Sequence, residues 1–187
     1  GPFGAFGAGE GEKIDNNIAA MQEDYKKKEK AKAEERIAKM TDDKEKEAAR
    51  AVAEAETDKV DAASRQEFID ALKATPDITH LVIAAHGAST GIAFSPKDTR
   101  KSPSENKERY LGYAMYEDLP PLDNLREIEI IGCDAAGDNP DGPNIAQMLA
   151  DHYQVPVIAR KGIYSKLLPD DTEIVCPQRN PNCLPSQ

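Results

Sequence analysis

Two residues of this chain combine reactive chemistry with a shared sequence setting. Leu81-Val82-Ile83-Ala84-Ala85 runs into His86-Gly87, and Ile128-Glu129-Ile130-Ile131-Gly132 runs into Cys133. A thiol of ordinary pKa, about 8.5, is mostly protonated at neutral pH, and a neighbouring imidazolium stabilises its thiolate. The same imidazole can then hand a proton to a departing amine, so His86 and Cys133 are the candidate catalytic pair, shuttle and nucleophile. Gly87 exposes a backbone N–H with no Cβ beside it, and that N–H with the one at Cys133 forms a candidate oxyanion hole for acyl transfer. Gly132 would admit close approach of a substrate chain.

Such a pair works only if the fold brings the two run ends together. Short apolar, β-branched runs have the form of strands buried in a parallel sheet, and such sheets carry ligands and chemistry at the carboxyl ends of their strands. The expected fold class is therefore α/β, with a mostly parallel sheet flanked by helices. Around the two strands, Ser64-Arg65-Gln66-Glu67 reads as the capped start of a helix with Phe68, Ile69 and Leu72 on its apolar face, ending before Pro76. Residues 95–106 read as a polar surface loop, and 110–116 as a strand paired with 91–94 in a hairpin. Residues 144–153 carry Ile145, Met148 and Leu149 on one side, an amphipathic helix leading to a strand over 155–159. Strand, helix and strand in that order form a crossover unit of an α/β sheet. Residues 172–176 add an expected edge strand.

The amino-terminal third has a different character. Gly1-Pro2 has the form of a remnant of tag removal, and the Gly-rich stretch 1–11 reads as a flexible joint. Residues 12–63 hold strong helix formers without proline, with 16 acidic and 12 basic residues interspersed from Glu10 to Ala63. That pattern reads as a charged, solvated helical spacer. The catalytic domain is then expected over 64–187. A net charge of −10 argues against nucleic acid as a partner, because binding to phosphate backbones rests on clustered Lys and Arg. No stretch approaches the roughly 20 apolar residues needed to span a bilayer. Of three cysteines, Cys176 and Cys183 bracket a Pro- and Asn-rich turn that could close a disulfide loop, leaving Cys133 outside that pair. The scattered histidines and cysteines lack the short paired spacings of structural zinc, so neither a metal nor another cofactor is expected. His80 is expected as a polar residue at a strand start, and His152 as an exposed residue near a helix C-terminus.

A hydrophobic strand ending in His-Gly, followed 47 positions later by one ending in Cys, resembles the caspase-like cysteine peptidases, a clan that includes caspases, gingipains, clostripain and the self-processing domain of MARTX toxins. The resemblance spans residues 78–161, although Ile131-Gly132 stands where caspases carry Gln-Ala before the cysteine. It implies a His-Cys dyad without an obligatory third member, a small Rossmann-like sheet, and strict choice of the residue before the scissile bond. The segments 130–137, 144–150 and 155–159 are also similar to C-terminal toxin modules of bacterial polymorphic and type VI effectors. That similarity implies a secreted bacterial effector acting in a target cell, in its cytoplasm rather than its periplasm, on a protein substrate, with an immunity protein or delivery module as partner. For substrate choice, Arg160 and Lys161 on the expected rim would pair with an acidic side chain, whereas Asp134, Asp138 and Asp141 would favour a basic one. A deamidase-like thiol enzyme on the same pair, and a non-enzymatic interaction module, are the alternatives.

Overall fold

The computed structural model describes residues 3–10, 13–14, 16–55, 59–94, 99–163 and 171–185. Its centre is a parallel ladder between β4, His80–Ala84, and β8, Glu127–Ile131. Both are short runs rich in Ile, Val and Leu, the composition that a strand covered on both faces requires. Leu81 and Ile83 of β4 and Ile128 and Ile130 of β8 enter the main core, which also takes Phe68, Leu72, Leu149 and Val157. On the far side of β8, β9 (Val157–Ala159) pairs in parallel and β10 (Glu173–Val175) closes the edge antiparallel to it. The chain is thus α/β, with a mixed and mostly parallel sheet flanked by helices.

The amino-terminal third departs from expectation. Phe3–Glu10, expected as a flexible joint, is strand β1, paired in parallel with β4 on one side and with β3, Lys59–Ala62, on the other. The residues of FGAFGAGE lack any apolar alternation, so no local signal marks the strand. Its neighbours provide the backbone partners that extended chain needs. Gly1-Pro2, read as a tag remnant, lies outside the described residues. β2, Lys13–Ile14, folds back on the end of β1.

The helical content expected over 12–63 is present as α1, Asn16–Ala38, and α2, Asp43–Ala55. Asp42 starts α2, its Oδ1 accepting from the N–H groups of Lys44 and Glu45 at 2.8 and 3.0 Å. α2 is exposed or half-buried wherever its burial is described, in keeping with a solvated helix, but α1 is not solvated throughout. Met21, Gln22, Ala33 and Ile37 are buried, and Met21 packs with Ala84 and Ile131 on the sheet face opposite the main core. That face also carries Glu129, alternate to Ile128 and Ile130 on β8, so α1 has no broad apolar stripe to show in its sequence. Burial, then the nearby carboxylates of Glu29 and Glu127, raise the Glu129 carboxyl to about 7, against the weaker opposing effect of Lys32 and Lys28.

The remaining elements follow their local signals. α3, Arg65–Lys73, is capped by Ser64, whose Oγ accepts from the Glu67 N–H at 3.1 Å, and it buries Phe68 against Phe94 with ring centroids 5.0 Å apart. β5 (His86–Ala88), β6 (Gly91–Ala93) and β7 (Tyr110–Gly112) make a small antiparallel sheet, including the expected hairpin pairing of 91–93 with 110–112. Within the expected surface loop, residues 95–98 lie outside the described residues. Pro103–Lys107 is instead a short helix, α4, with a full capping box between Ser102 and Glu105, and it buries Asn106. α5 spans Ile145–Tyr153 behind an Asn144 cap. Cys176 and Cys183 form the disulfide whose loop sits beside α5, the Cys176 carbonyl accepting from Gln147 Nε2 at 2.9 Å. Among the described residues no helix is long and apolar enough to cross a membrane.

The raised Glu129 value fixes a sign for stability. Folding favours the protonated carboxyl, so this contribution is full below about 4.5, the ordinary value, and is lost as pH rises through about 7. Glu129→Gln is expected to stabilise the chain at pH 8 by on the order of 2 kcal/mol and to have little effect at pH 4.5. Urea unfolding at the two pH values checks this, and an equal effect at both would contradict it.

Candidate active site

The last register pair of the central ladder is Ala84↔Ile131, and the contact continues one step further, with the Ala85 N–H donating to the Ile131 carbonyl at 3.0 Å. His86 and Cys133 each stand two positions beyond that last pair. In-register parallel strands therefore bring them to the carboxyl edge of the sheet together, where the Cys133 carbonyl meets Gly87, the residue after His86. His86 is exposed and Cys133 half-buried.

The glycines at this edge are required by close approach. A Cβ on Gly132 would collide with the Ala85 carbonyl oxygen, and one on Gly87 would lie 3.0 Å from the Cys133 carbonyl oxygen. The two residues read from sequence as an oxyanion hole are thus in mutual contact. His86 and Gly87 belong to β5, whose register with β6 pairs them with Ala93 and Ile92.

Beyond the thiol the chain turns sharply. Asp134 has φ +55°, a left-handed conformation that costs a non-glycine residue on the order of 1 kcal/mol and persists only where the surroundings impose it. Here they do. Its N–H donates to the Gly162 carbonyl at 2.7 Å, its Oδ1 accepts from the Gly162 N–H at 2.8 Å, and its carbonyl accepts from the Gly137 N–H at 2.9 Å. The Ala136 N–H donates to the Arg160 carbonyl at 3.0 Å. The segment after β9 is in this way stitched to the turn after Cys133.

The amino end of α5 joins the same assembly. The Ile145 N–H donates to the Ser89 carbonyl at 2.8 Å, the Ala146 N–H to the Ala135 carbonyl at 3.2 Å, and the Gln147 N–H to Asn144 Oδ1 at 2.8 Å. These N–H groups, which helix starts often turn toward anions, are occupied in holding the β5–β6 turn and the post-cysteine turn together.

Two substrate-binding expectations change with this geometry. Arg160 is only 3% exposed, so its side chain does not stand on the rim for an acidic group to meet. Asp134 is half-buried and engaged with Gly162, which makes it a positioning residue for the turn. Asp138 and Asp141 are exposed, and Lys161 faces Asp138 at 3.8 Å in a solvent-exposed pair of little energetic weight. Ser89, buried with its carbonyl on α5, was not singled out by sequence because its role is carried by backbone. His80 sits at the start of β4, its Nδ1 3.1 Å from Thr79 Oγ1, at the opposite end of the strand from His86. Among the described residues no group of three or more His, Cys, Asp and Glu side chains is arranged to hold a metal ion.

Comparison of the chain with models of known protein families, with curated proteins and with solved structures finds no match.

The close approach at the rim can be tested with a pair of alanine substitutions. Gly132→Ala is expected to destabilise the protein by about 2–3 kcal/mol, since backbone must move to admit the methyl group. Gly112→Ala, whose added Cβ would meet only Met115 at ordinary contact distances of 3.6–3.8 Å, is expected to cost about 1 kcal/mol or less. Thermal unfolding of both variants measures the difference, and equal costs would contradict the packing described for the rim.

Proposed function

We propose that this chain is a cysteine endopeptidase of the caspase-like kind, working through a His86–Cys133 dyad on a small Rossmann-like sheet. The observation that carries the proposal is the convergence of two independent strand ends, 47 positions apart in sequence, on one accessible edge with His and Cys at equivalent positions. Support also comes from the turn that follows Cys133, held in a left-handed conformation by several hydrogen bonds, a form of stored strain that collects at functional sites.

In the proposed reaction the Cys133 thiol gives its proton to His86 and Sγ attacks the carbonyl carbon of the scissile peptide bond. The C–N bond breaks as the amine takes the proton from His86, leaving a thioester on Cys133. Water, deprotonated by His86, then hydrolyses the thioester and restores the thiol. A bacterial effector delivered into the cytoplasm of a target cell is the setting we propose, with a protein substrate and an immunity protein or delivery module as further partners.

Expression of the wild-type chain inside bacteria, with mass spectrometry of newly formed protein termini, tests this. New termini sharing one residue before the cut are expected with the wild type and not with Cys133→Ala. His86→Ala is expected to lower the cleavage rate about 100-fold or more. Termini that persist unchanged in both variants, or that never form, would contradict the assignment, and a gain of about one dalton without chain scission would instead indicate deamidation, the exchange of an amide nitrogen for oxygen.

A further inference from the structure

A concavity lies beside the carboxyl half of α5, with a volume of about 380 Å³, at the small end of ligand pockets and suited to one side chain. Its walls come from separate parts of the chain. Tyr113 follows β7, Tyr116 opens a 3₁₀ turn, Pro143 ends the post-cysteine loop, and Met148, Asp151 and His152 lie on α5.

The walls are held in place. Tyr113 donates its N–H to the Thr90 carbonyl at 3.0 Å, and its ring lies so close to Gly142 that a Cβ there would come within 2.8 Å of Tyr113 Cε2. The Tyr116 and His152 rings are 6.2 Å apart and tilted, and His152 meets Tyr153 edge-on at 4.7 Å. Asp151 Oδ1 accepts from Gln147 Nε2 at 3.1 Å and from the Gln178 N–H at 2.8 Å, the latter within the disulfide-closed loop. Both donors are neutral, and among the described residues no Lys or Arg pairs with this carboxylate. A half-buried carboxylate without a cationic partner thus lines the same pocket as the rings of Tyr113 and Tyr116, the latter 46% exposed. Aromatic faces and a carboxylate together suit a cation carried on an apolar stem. Partial desolvation lowers the pKa of the otherwise exposed His152, which disfavours the imidazolium that would oppose such a ligand. The exposed Glu117 and Asp118 next to Tyr116 add to the negative potential at the mouth.

We propose that this pocket binds the side chain of an arginine or lysine residue in a peptide or protein ligand. Its Pro143 wall belongs to the loop that begins at Cys133, while its helical walls lie further along α5. The proposal goes beyond the dyad and does not need Cys133 to be catalytic.

NMR titration of the full chain carrying Cys133→Ala, so that no ligand can be cleaved, provides the test. Nα-acetyl-arginine amide is expected to give saturable shifts at Tyr113, Tyr116, Asp151 and His152, and the isosteric, neutral citrulline analogue to bind at least about tenfold more weakly. Asp151→Asn, which keeps the oxygen that accepts from Gln147 and Gln178, is expected to lower affinity for the arginine probe about tenfold. Tyr116→Ala, at an exposed position, is expected to lower it about threefold. Equal binding of the citrulline analogue, unchanged affinity in both variants, or shifts that fall elsewhere would overturn the proposal. Tighter binding of free spermidine than of an arginine-containing tripeptide would overturn the assignment of the ligand as a peptide.

Discussion

The in-register parallel pairing of β4 with β8 is the constraint on which the rest of this structure depends. Parallel strands in register carry equivalent positions to the same edge, so one ladder decides that His86 and Cys133 emerge together. A slip of one residue would turn every side chain of one strand to the other face, moving Ile128 and Ile130 out of the main core and Glu129 into it. The hydrophobic core therefore enforces the juxtaposition at the rim. The glycines follow from the same ladder, because the chains stay close for one step past the last strand pair and Gly132 has no room for a side chain.

The two sheet faces are covered in different ways. On one, α3 and α5 bury a continuous apolar core. On the other, α1 lies over Ala84 and Ile131 with Met21 at the contact, while Glu129 remains as a buried carboxyl whose neutral form the fold favours. The strand ends leave from a sheet clamped from both sides. Hydrogen bonds among Asp134, Gly162, Ala136, Arg160 and the start of α5 then fix the turn after the thiol relative to β9 and the β5–β6 hairpin. The rim is built from backbone bonds of this kind, which explains why Asp134 and Arg160 take structural places in it while the exposed His86 and half-buried Cys133 stay accessible.

How much of this was legible in the sequence varies with how local its cause is. β4, β8, β9, α3 and α5 announce themselves through apolar runs, caps and periodicity, and with them the placing of His86 and Cys133. β1 was not legible, since glycine-rich extended chain acquires its structure from the partners β3 and β4 rather than from its own residues. The packing of α1 was hidden for a related reason: a helix lying over a partly polar sheet face needs no apolar stripe. α4 did carry a signal, the Ser102-Pro103-Ser104-Glu105 capping sequence, which the surrounding polarity masked. The burial of Arg160 is not legible, because position along a strand specifies the edge a residue reaches but not its burial. The pocket beside α5 lay beyond reach, as Tyr113, Pro143 and Asp151 meet only through tertiary packing.

The central claim is that His86 acts on Cys133, and the most direct measurement is the rate at which iodoacetamide alkylates Cys133 between about pH 5 and pH 9, in the wild type and in His86→Ala, followed by mass spectrometry of the intact, disulfide-bonded chain. The account predicts faster alkylation of Cys133 in the wild type than in the variant, because His86 takes the proton of the thiol. Superimposable profiles in the two proteins would mean that the strand ends share an edge without sharing chemistry.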